Sequence, residues 1–219
     1  MSTQTTNTPT LATELADFQT SWNAKAPEGL QDKFENGIEE IKALNDTALK
    51  VGDIAPDFEL NNALNHPVKL ADLLKNGPVV LSWYRGGWCP YCNIQLRYLQ
   101  SYLPQFKAAG ATLVALSPEL PDKSLTTTEK NNLEFEVLTD YDNEVARQFR
   151  IVFKLNEELI DIYNDFHKLE TYNGVSTNEL PVPATYVIGA DRVIKYAFVD
   201  TDYRKRAEPA EILEVLKSL

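Results

Sequence analysis

The stretch "PVVLSWYRGGWCPYC", residues 78–92, constrains the fold more than any other part of the chain. Pro78–Tyr84 is apolar at nearly every position, which predicts a strand buried on both faces rather than one with a wet side. Two glycines then interrupt it. Pro90 suits the first turn of a helix, where its missing N–H costs nothing, and helical spacing continues to Ala109. A doubly buried strand that runs straight into a helix is the unit of α/β architecture. The same alternation recurs downstream. "ATLVALS" (111–117) predicts a second buried strand, 124–132 a helix, 134–138 a short strand and 143–150 a short helix. Leu155, Leu159, Ile162, Phe166 and Leu169 mark one amphipathic helix within an insertion. "ATYVIG" and "VIKYAFV" close the sheet as a hairpin across "ADR", and Glu208–Leu219 reads as a terminal helix. The expectation is a three-layer α/β fold, with a central mixed sheet flanked by helices.

Upstream of Val51 the texture differs. Leu11, Leu15, Phe18 and Trp22 follow helical spacing; "APEGL" breaks that helix, and Leu30, Phe34, Ile38, Ile41 and Leu44 mark a second. Met1–Thr10 is Thr-rich and uncharged and is expected to be disordered. This divides the chain into a tail and helical extension, 1–49, and a main domain, 50–219. Left exposed, the second helix would show an apolar strip on the order of a few hundred Å². The extension is therefore expected to pack over the domain and to contribute to a homodimer contact, without supplying catalytic groups.

Charge and hydropathy narrow the function. A net charge of −11 disfavours nucleic acid and anionic membrane surfaces as partners. No apolar run approaches the roughly 20 residues of a membrane span. The N-terminus lacks the basic and apolar regions of a secretory signal, so the expected compartment is the cytosol, or cytoplasm. There, the chain's two cysteines, Cys89 and Cys92, suit redox or metal chemistry better than a structural disulfide.

The pair sits at the strand-to-helix junction. Cys89 falls at the helix N-cap, where unpaired N–H groups and the helix dipole lower a thiol pKa. Cys92 shares a buried stripe with Leu96, Leu99, Leu103 and Phe106. This predicts an exposed attacking thiol and a sheltered resolving one. Helix positions three apart place Cβ atoms about 5–6 Å apart, and a disulfide needs roughly 3.5–4.5 Å, so a small adjustment closes the bond. Taken alone, Cys92 also reads as a small core residue. A zinc site needs four ligands, and only His66 and His167, far apart and read as surface residues, could join the cysteines; no metal and no bound cofactor is expected.

At these residues the chain resembles known families. "WCPYC" after a buried strand is similar to the active-site turn of thioredoxins and glutaredoxins. "VGDIAPDFEL" resembles the N-terminal signature of peroxiredoxins, the alkyl hydroperoxide reductase and thiol-specific antioxidant family. The segments "VVLSWYRGGWCPYC", "ATLVALSPE", "FEVLTDYDNEVARQF" and "LPVPATYVIGADRVIKYAFVD" are similar, in order, to peroxiredoxin-like redoxin domains. The resemblance spans about residues 50–219 and implies a thioredoxin-like fold. Cys89 and Pro90 match the family's peroxidatic Cys-Pro. Gly86 stands where the family has Thr or Ser, and Cys92 where it often has Glu. Pro183 stands where it has a second active-site Arg. With Ala184 and Thr185, Pro183 is instead similar to the cis-proline that faces the cysteine pair of thioredoxins, which implies a cis Val182–Pro183 bond against the active site. Arg85 is either a positive charge near a leaving oxygen or a surface charge. Trp88 and Tyr91 read as rims of a substrate surface.

These features predict an antioxidant-type thiol oxidoreductase that reduces a disulfide-type substrate: Cys89 attacks, Cys92 resolves, and an external thioredoxin- or glutathione-type thiol recycles the pair. The rival is a thiol-dependent peroxidase, reducing hydrogen peroxide or an alkyl hydroperoxide through a sulfenic acid at Cys89. A third reading is a redox sensor or metallochaperone without turnover.

Overall fold

The structure, a computed structural model, describes residues 10–219. The tail expected to be disordered lies, apart from Thr10, outside the described residues. In chain order the elements are α1 (Leu11–Asn23), α2 (Leu30–Glu40), α3 (Leu44–Thr47), β1 (Glu59–Asn62), β2 (Pro67–Lys69), α4 (Leu70–Leu73), β3 (Val79–Trp83), α5 (Pro90–Ala108), β4 (Thr112–Ser117) and α6 (Pro121–Asn131). They continue with β5 (Glu136–Thr139), α7 (Glu144–Gln148), β6 (Val152–Lys154), α8 (Glu157–Phe166), α9 (Leu169–Asn173), β7 (Glu179–Pro181), β8 (Ala184–Ile188), β9 (Ile194–Val199) and α10 (Pro209–Lys217).

A seven-stranded mixed sheet runs β2-β1-β5-β4-β3-β8-β9. β3, β4 and β5 are parallel, β8 returns antiparallel beside β3, and β9 pairs antiparallel with β8. Strand β3 is buried at every position because each face has its own core. Val80 and Tyr84 join α1, α5 and α10 on one face, whereas Val79, Leu81 and Trp83 join Phe149 and Tyr186 on the other. The Cys92, Leu96, Leu99, Leu103, Phe106 stripe of α5 is buried as expected.

Three local readings change. The insertion helix breaks in two where the His167 backbone turns extended (φ −151, ψ 122). The helix expected across 30–44 ends at Glu40, and a separate short turn, α3, follows. The hairpin β1–β2 and the antiparallel pair β6–β7, whose strands flank α8 and α9, were not legible: β6 and β7 have only three residues each, too few for a period to show.

The N-terminal helices lie on the rest of the chain. Leu11 and Leu15 are buried in the α5–α10 core. The Phe34 ring meets Tyr163 and Tyr203 edge-on at 6.2 and 6.3 Å. Polar ties hold the edges: Glu35 accepts from Arg204 at 2.5 Å, Lys33 pairs with Glu158 at 3.0 Å, and the Ala12 N–H donates to Glu208 at 2.7 Å. The apolar stripe is thus largely covered within one chain. Removing a buried leucine side chain typically costs about 2–5 kcal/mol, so Leu11→Ala should lower the urea midpoint accordingly with an unchanged m-value. A midpoint equal to wild type would show that α1 is not part of the cooperative unit.

Candidate active site

Strand β3 delivers Tyr84 and Arg85 to its carboxyl end, and a Gly86–Gly87 turn carries the chain to α5. Neither glycine has room for a side chain. A Cβ on Gly86 would stand 2.2 Å from the Trp88 indole nitrogen, and one on Gly87 would stand 2.0 Å from Thr127 Oγ1. A Thr or Ser at Gly86, the residue types that the family resemblance implies there, would require Trp88 to move. Gly87 is held at both of its backbone groups: its N–H donates to Glu119 Oε1 and its carbonyl accepts from Asn93 Nδ2, both at 2.8 Å. Asn131 Nδ2 in turn donates to Asn93 Oδ1 at 2.7 Å.

Cys89 occupies the N-cap of α5, with Pro90 in the first turn, as the spacing implied. Its side chain makes no capping hydrogen bond; the sulfur instead accepts from Arg85 Nη2 at 3.6 Å. The expectation that Cys89 is exposed is corrected: Cys89 and Cys92 are both free thiols with 0% relative exposure. Side chains distant in sequence, which local spacing cannot reveal, enclose them. Arg85, only 4% exposed, is an interior rather than a surface charge. Its guanidinium carbon lies 4.0 Å from the Tyr203 ring centroid, 5.1 Å from Trp88 and 5.7 Å from Tyr163, and Nη1 donates to the Tyr163 hydroxyl at 2.7 Å. Rings that face a cation stabilise it where water is scarce.

A second guanidinium comes from the loop before α10. Arg206 Nη2 donates to Cys92 Sγ at 3.6 Å. The two sulfurs diverge electrostatically. Burial pushes the Cys89 thiol up, but a hydrogen bond from Cys92 and the charges of Arg85 and Arg206 outweigh it and hold Cys89 well below the ordinary thiol range. Burial, together with the neighbouring Cys89 anion, drives Cys92 well above that range. The arrangement favours the anion at Cys89 and the neutral thiol at Cys92, the states that a nucleophile and its resolving partner would use.

Glu119 completes the site. It is fully buried, and besides Gly87 it accepts from Tyr84 at 3.3 Å and Thr127 at 3.4 Å. Burial raises its carboxyl from 4.5 to about 7, against the pull of these three donors.

Beside the turn lies a cleft of about 240 Å³ whose walls include Phe18, Trp22, Phe34, Tyr163, Phe166 and His167. Trp88 and Tyr91 also line it. Trp88 is half-buried, at 5.4 Å from both His167 and Tyr163, so His167 is not a plain surface residue. Tyr91 is buried beneath α1, edge-on to Phe18 at 4.9 Å, and its hydroxyl meets Gln19.

Pro183 departs from expectation. No peptide bond among the described residues is cis, so Val182–Pro183 is trans. Pro183 lines a small cavity with Arg85, Tyr163 and Tyr203. The Val182 N–H donates to the Ile151 carbonyl at 2.7 Å, which leads an extended chain from β7 into β8. An extended approach suits the trans form, preferred for X–Pro bonds by about 0.5–1 kcal/mol.

Sequence reasoning missed Arg206, Glu119, Tyr163 and Tyr203. One signal was available for Glu119: it follows β4 at the carboxyl ends of the parallel strands, where open α/β sheets form their crevices. Nothing local distinguishes Arg206 within "YRKRAEP".

Residues 51–197 match the AhpC/TSA family. Peroxiredoxin Bcp of Escherichia coli K12 is 28% identical over 152 residues, covering 69% of this chain and 86% of its own. A putative peroxiredoxin Bcp of Buchnera aphidicola is 35% identical over 105 residues, 48% of this chain and 66% of its own. Among solved structures, peroxidoxin BcpB of Mycobacterium tuberculosis superposes with a TM-score of 0.62 at 23% identity, covering 78% of this chain and 98% of its own. That likeness shows the thioredoxin-type fold.

Glu119 gives the site a pH signature. Between about pH 4.5 and 7 the folded chain keeps a proton there that the unfolded chain has released. Stability contributed by this group is therefore full below that window and falls as pH rises through it. Glu119→Gln, which preserves an acceptor for Gly87, should abolish this fall. Across the window the variant should gain on the order of 3 kcal/mol relative to wild type, measured by urea unfolding at a series of pH values. Parallel profiles would assign the titration elsewhere.

Proposed function

Because the chain belongs to the AhpC/TSA family, we propose that it is a thiol-dependent peroxidase in which Cys89 attacks the peroxide and Cys92 resolves the product. The observation that carries this reading is the buried Arg85 guanidinium 3.6 Å from Cys89 Sγ: one group both holds the thiolate and stands where a leaving oxygen needs a donor. The Cys89 sulfur attacks one peroxide oxygen, the O–O bond breaks, and an alcohol or water departs after taking a proton from solvent. Arg85 stabilises the developing oxyanion by charge-assisted hydrogen bonding, since a guanidinium keeps its proton. Cys89 is left as a sulfenic acid. Cys92 condenses with it, water leaves, and an external thiol of thioredoxin or glutathione type reduces the disulfide.

The disulfide-reductase reading expected from "WCPYC" has less support, because the Val182–Pro183 bond is trans and the relatives carry peroxiredoxin names. A solved Xanthomonas campestris relative, at 15% identity, is described as having alkyl peroxide reduction activity, which motivates including an alkyl hydroperoxide in the test. Trp88 and Tyr91 bound the substrate cleft in this proposal, and Pro183 only backs Arg85. A cytosolic enzyme that self-associates as a homodimer is part of the same reading; sedimentation of the full chain measures the latter.

With a thioredoxin system as donor, turnover should be seen with hydrogen peroxide or an alkyl hydroperoxide and exceed that with a small disulfide. Cys89→Ser should abolish it. Cys92→Ser should consume one equivalent of peroxide and leave a sulfenic acid that dimedone captures. Faster turnover of the disulfide would overturn the peroxidase reading, and oxidation without recycling would indicate a sensor.

A further inference from the structure

Three arginine and lysine side chains follow one another at residues 204–206, and their fates differ. Arg204 pairs with Asp202 and Glu35, and Lys205 pairs with Asp200. Arg206 turns inward to 7% exposure, and among the described residues it forms no salt bridge. Its Nη1 donates to the carbonyls of Lys205, at 2.8 Å, and Tyr203; its Nε is buried without a partner; its Nη2 donates to Cys92 Sγ at 3.6 Å. A buried cation is costly unless an anion is at hand. The anion-forming group in hydrogen-bond contact with Arg206 is the Cys92 thiol.

We infer that Arg206 is the catalytic residue of the resolving step, converting Cys92 into the second nucleophile once Cys89 has been oxidised. The inference rests on Cys89 attacking and Cys92 resolving, and holds whether the oxidant is a peroxide or a disulfide.

The timing follows from what surrounds Cys92. While Cys89 is a thiolate, Cys92 donates a hydrogen bond to it and faces its negative charge, and both effects keep the Cys92 proton in place. Oxidation makes the Cys89 sulfur neutral, which removes both. Arg206 and Arg85 remain, and they favour the anion. Cys92 then releases its proton and its sulfur attacks the Cys89 sulfur. The S–S bond forms, the S–O bond of the sulfenic acid breaks, and the departing hydroxide combines with a proton as water. The Cys92 sulfur is oxidised and the Cys89 sulfur reduced, both to the disulfide level. On a mixed disulfide the same attack expels a thiolate. Both charges reach both sulfurs, but Arg85 hydrogen-bonds the first and Arg206 the second.

The test separates the two attacks without any peroxide. Reduced full-length chain is mixed with dithionitrobenzoate: the first thionitrobenzoate anion released reports attack by Cys89, and the second reports attack by Cys92 on the Cys89 mixed disulfide. In Arg206→Gln the second phase should slow roughly ten- to hundredfold, the scale of a charge-assisted hydrogen bond, and by clearly more than the first, which loses only the through-space charge that Arg206 lends Cys89. Arg206→Lys should recover part of that loss. Arg206→Met fills similar space without charge and decides the matter if the Gln variant fails to fold. A parallel reaction with hydrogen peroxide should accumulate dimedone-reactive Cys89 in the neutral variants. A second phase as fast as wild type in a folded neutral variant, or equal slowing of both phases, would overturn the assignment. A wild-type chain that shows both phases but ignores peroxide would refute the peroxidase reading, while the variant comparison would still decide the role of Arg206.

Discussion

Arg85 keeps its charge where water reaches only 4% of it, and such a charge must be compensated by what lies around it. Three aromatic rings and the Tyr163 hydroxyl solvate it. The sulfur within hydrogen-bond reach of its Nη2 is that of Cys89, whose anion would balance the charge, while Glu119 accepts from the Gly87 N–H. Charge and thiolate favour each other: each would be expensive alone in a nearly dry interior, and the proposed function uses the pair as its nucleophile.

The rest of the fold can be understood as support for that contact. The all-buried β3 fixes where Arg85 emerges, and the Gly86–Gly87 turn fixes how far the chain travels before α5 begins. Because Glu119 and Asn93 hold the N–H and the carbonyl of Gly87, in two successive peptide groups, the turn cannot shift without breaking both hydrogen bonds. The N-terminal helices and α8 then supply the apolar rings that keep water out. Their own apolar stripes find burial in the same act, so sheltering the site and stabilising the extension are one interaction viewed from two sides.

What could be read from the sequence was local and periodic. Strand 79–83, the helix start at Pro90 and the Cys92 stripe follow from spacing within a few turns, and the sheet order agrees with the β and α alternation. The errors share a cause. Exposure of Cys89 depends on Tyr163 and Tyr203, residues with no local tie to it. Pro183 looked like a cis active-site proline by its neighbours, whereas its isomer follows from how Ile151 and the paired strands β6 and β7 lead the chain into β8. Arg206 lies 114 positions from the sulfur it touches, and no pattern in "RKRAEP" says which of its cations turns inward.

That separation has a consequence for how the protein comes into being. A chain emerging from the ribosome exposes Cys89 and Cys92 long before Arg206, and Phe34 long before the Tyr163 that will meet it. Until the last of these arrives, the two thiols lack the shared field that sets them apart, and each behaves as an ordinary cysteine in water. The difference between the two thiols belongs to the folded molecule rather than to the motif, because part of the field that creates it comes from Arg206, 114 positions from Cys92.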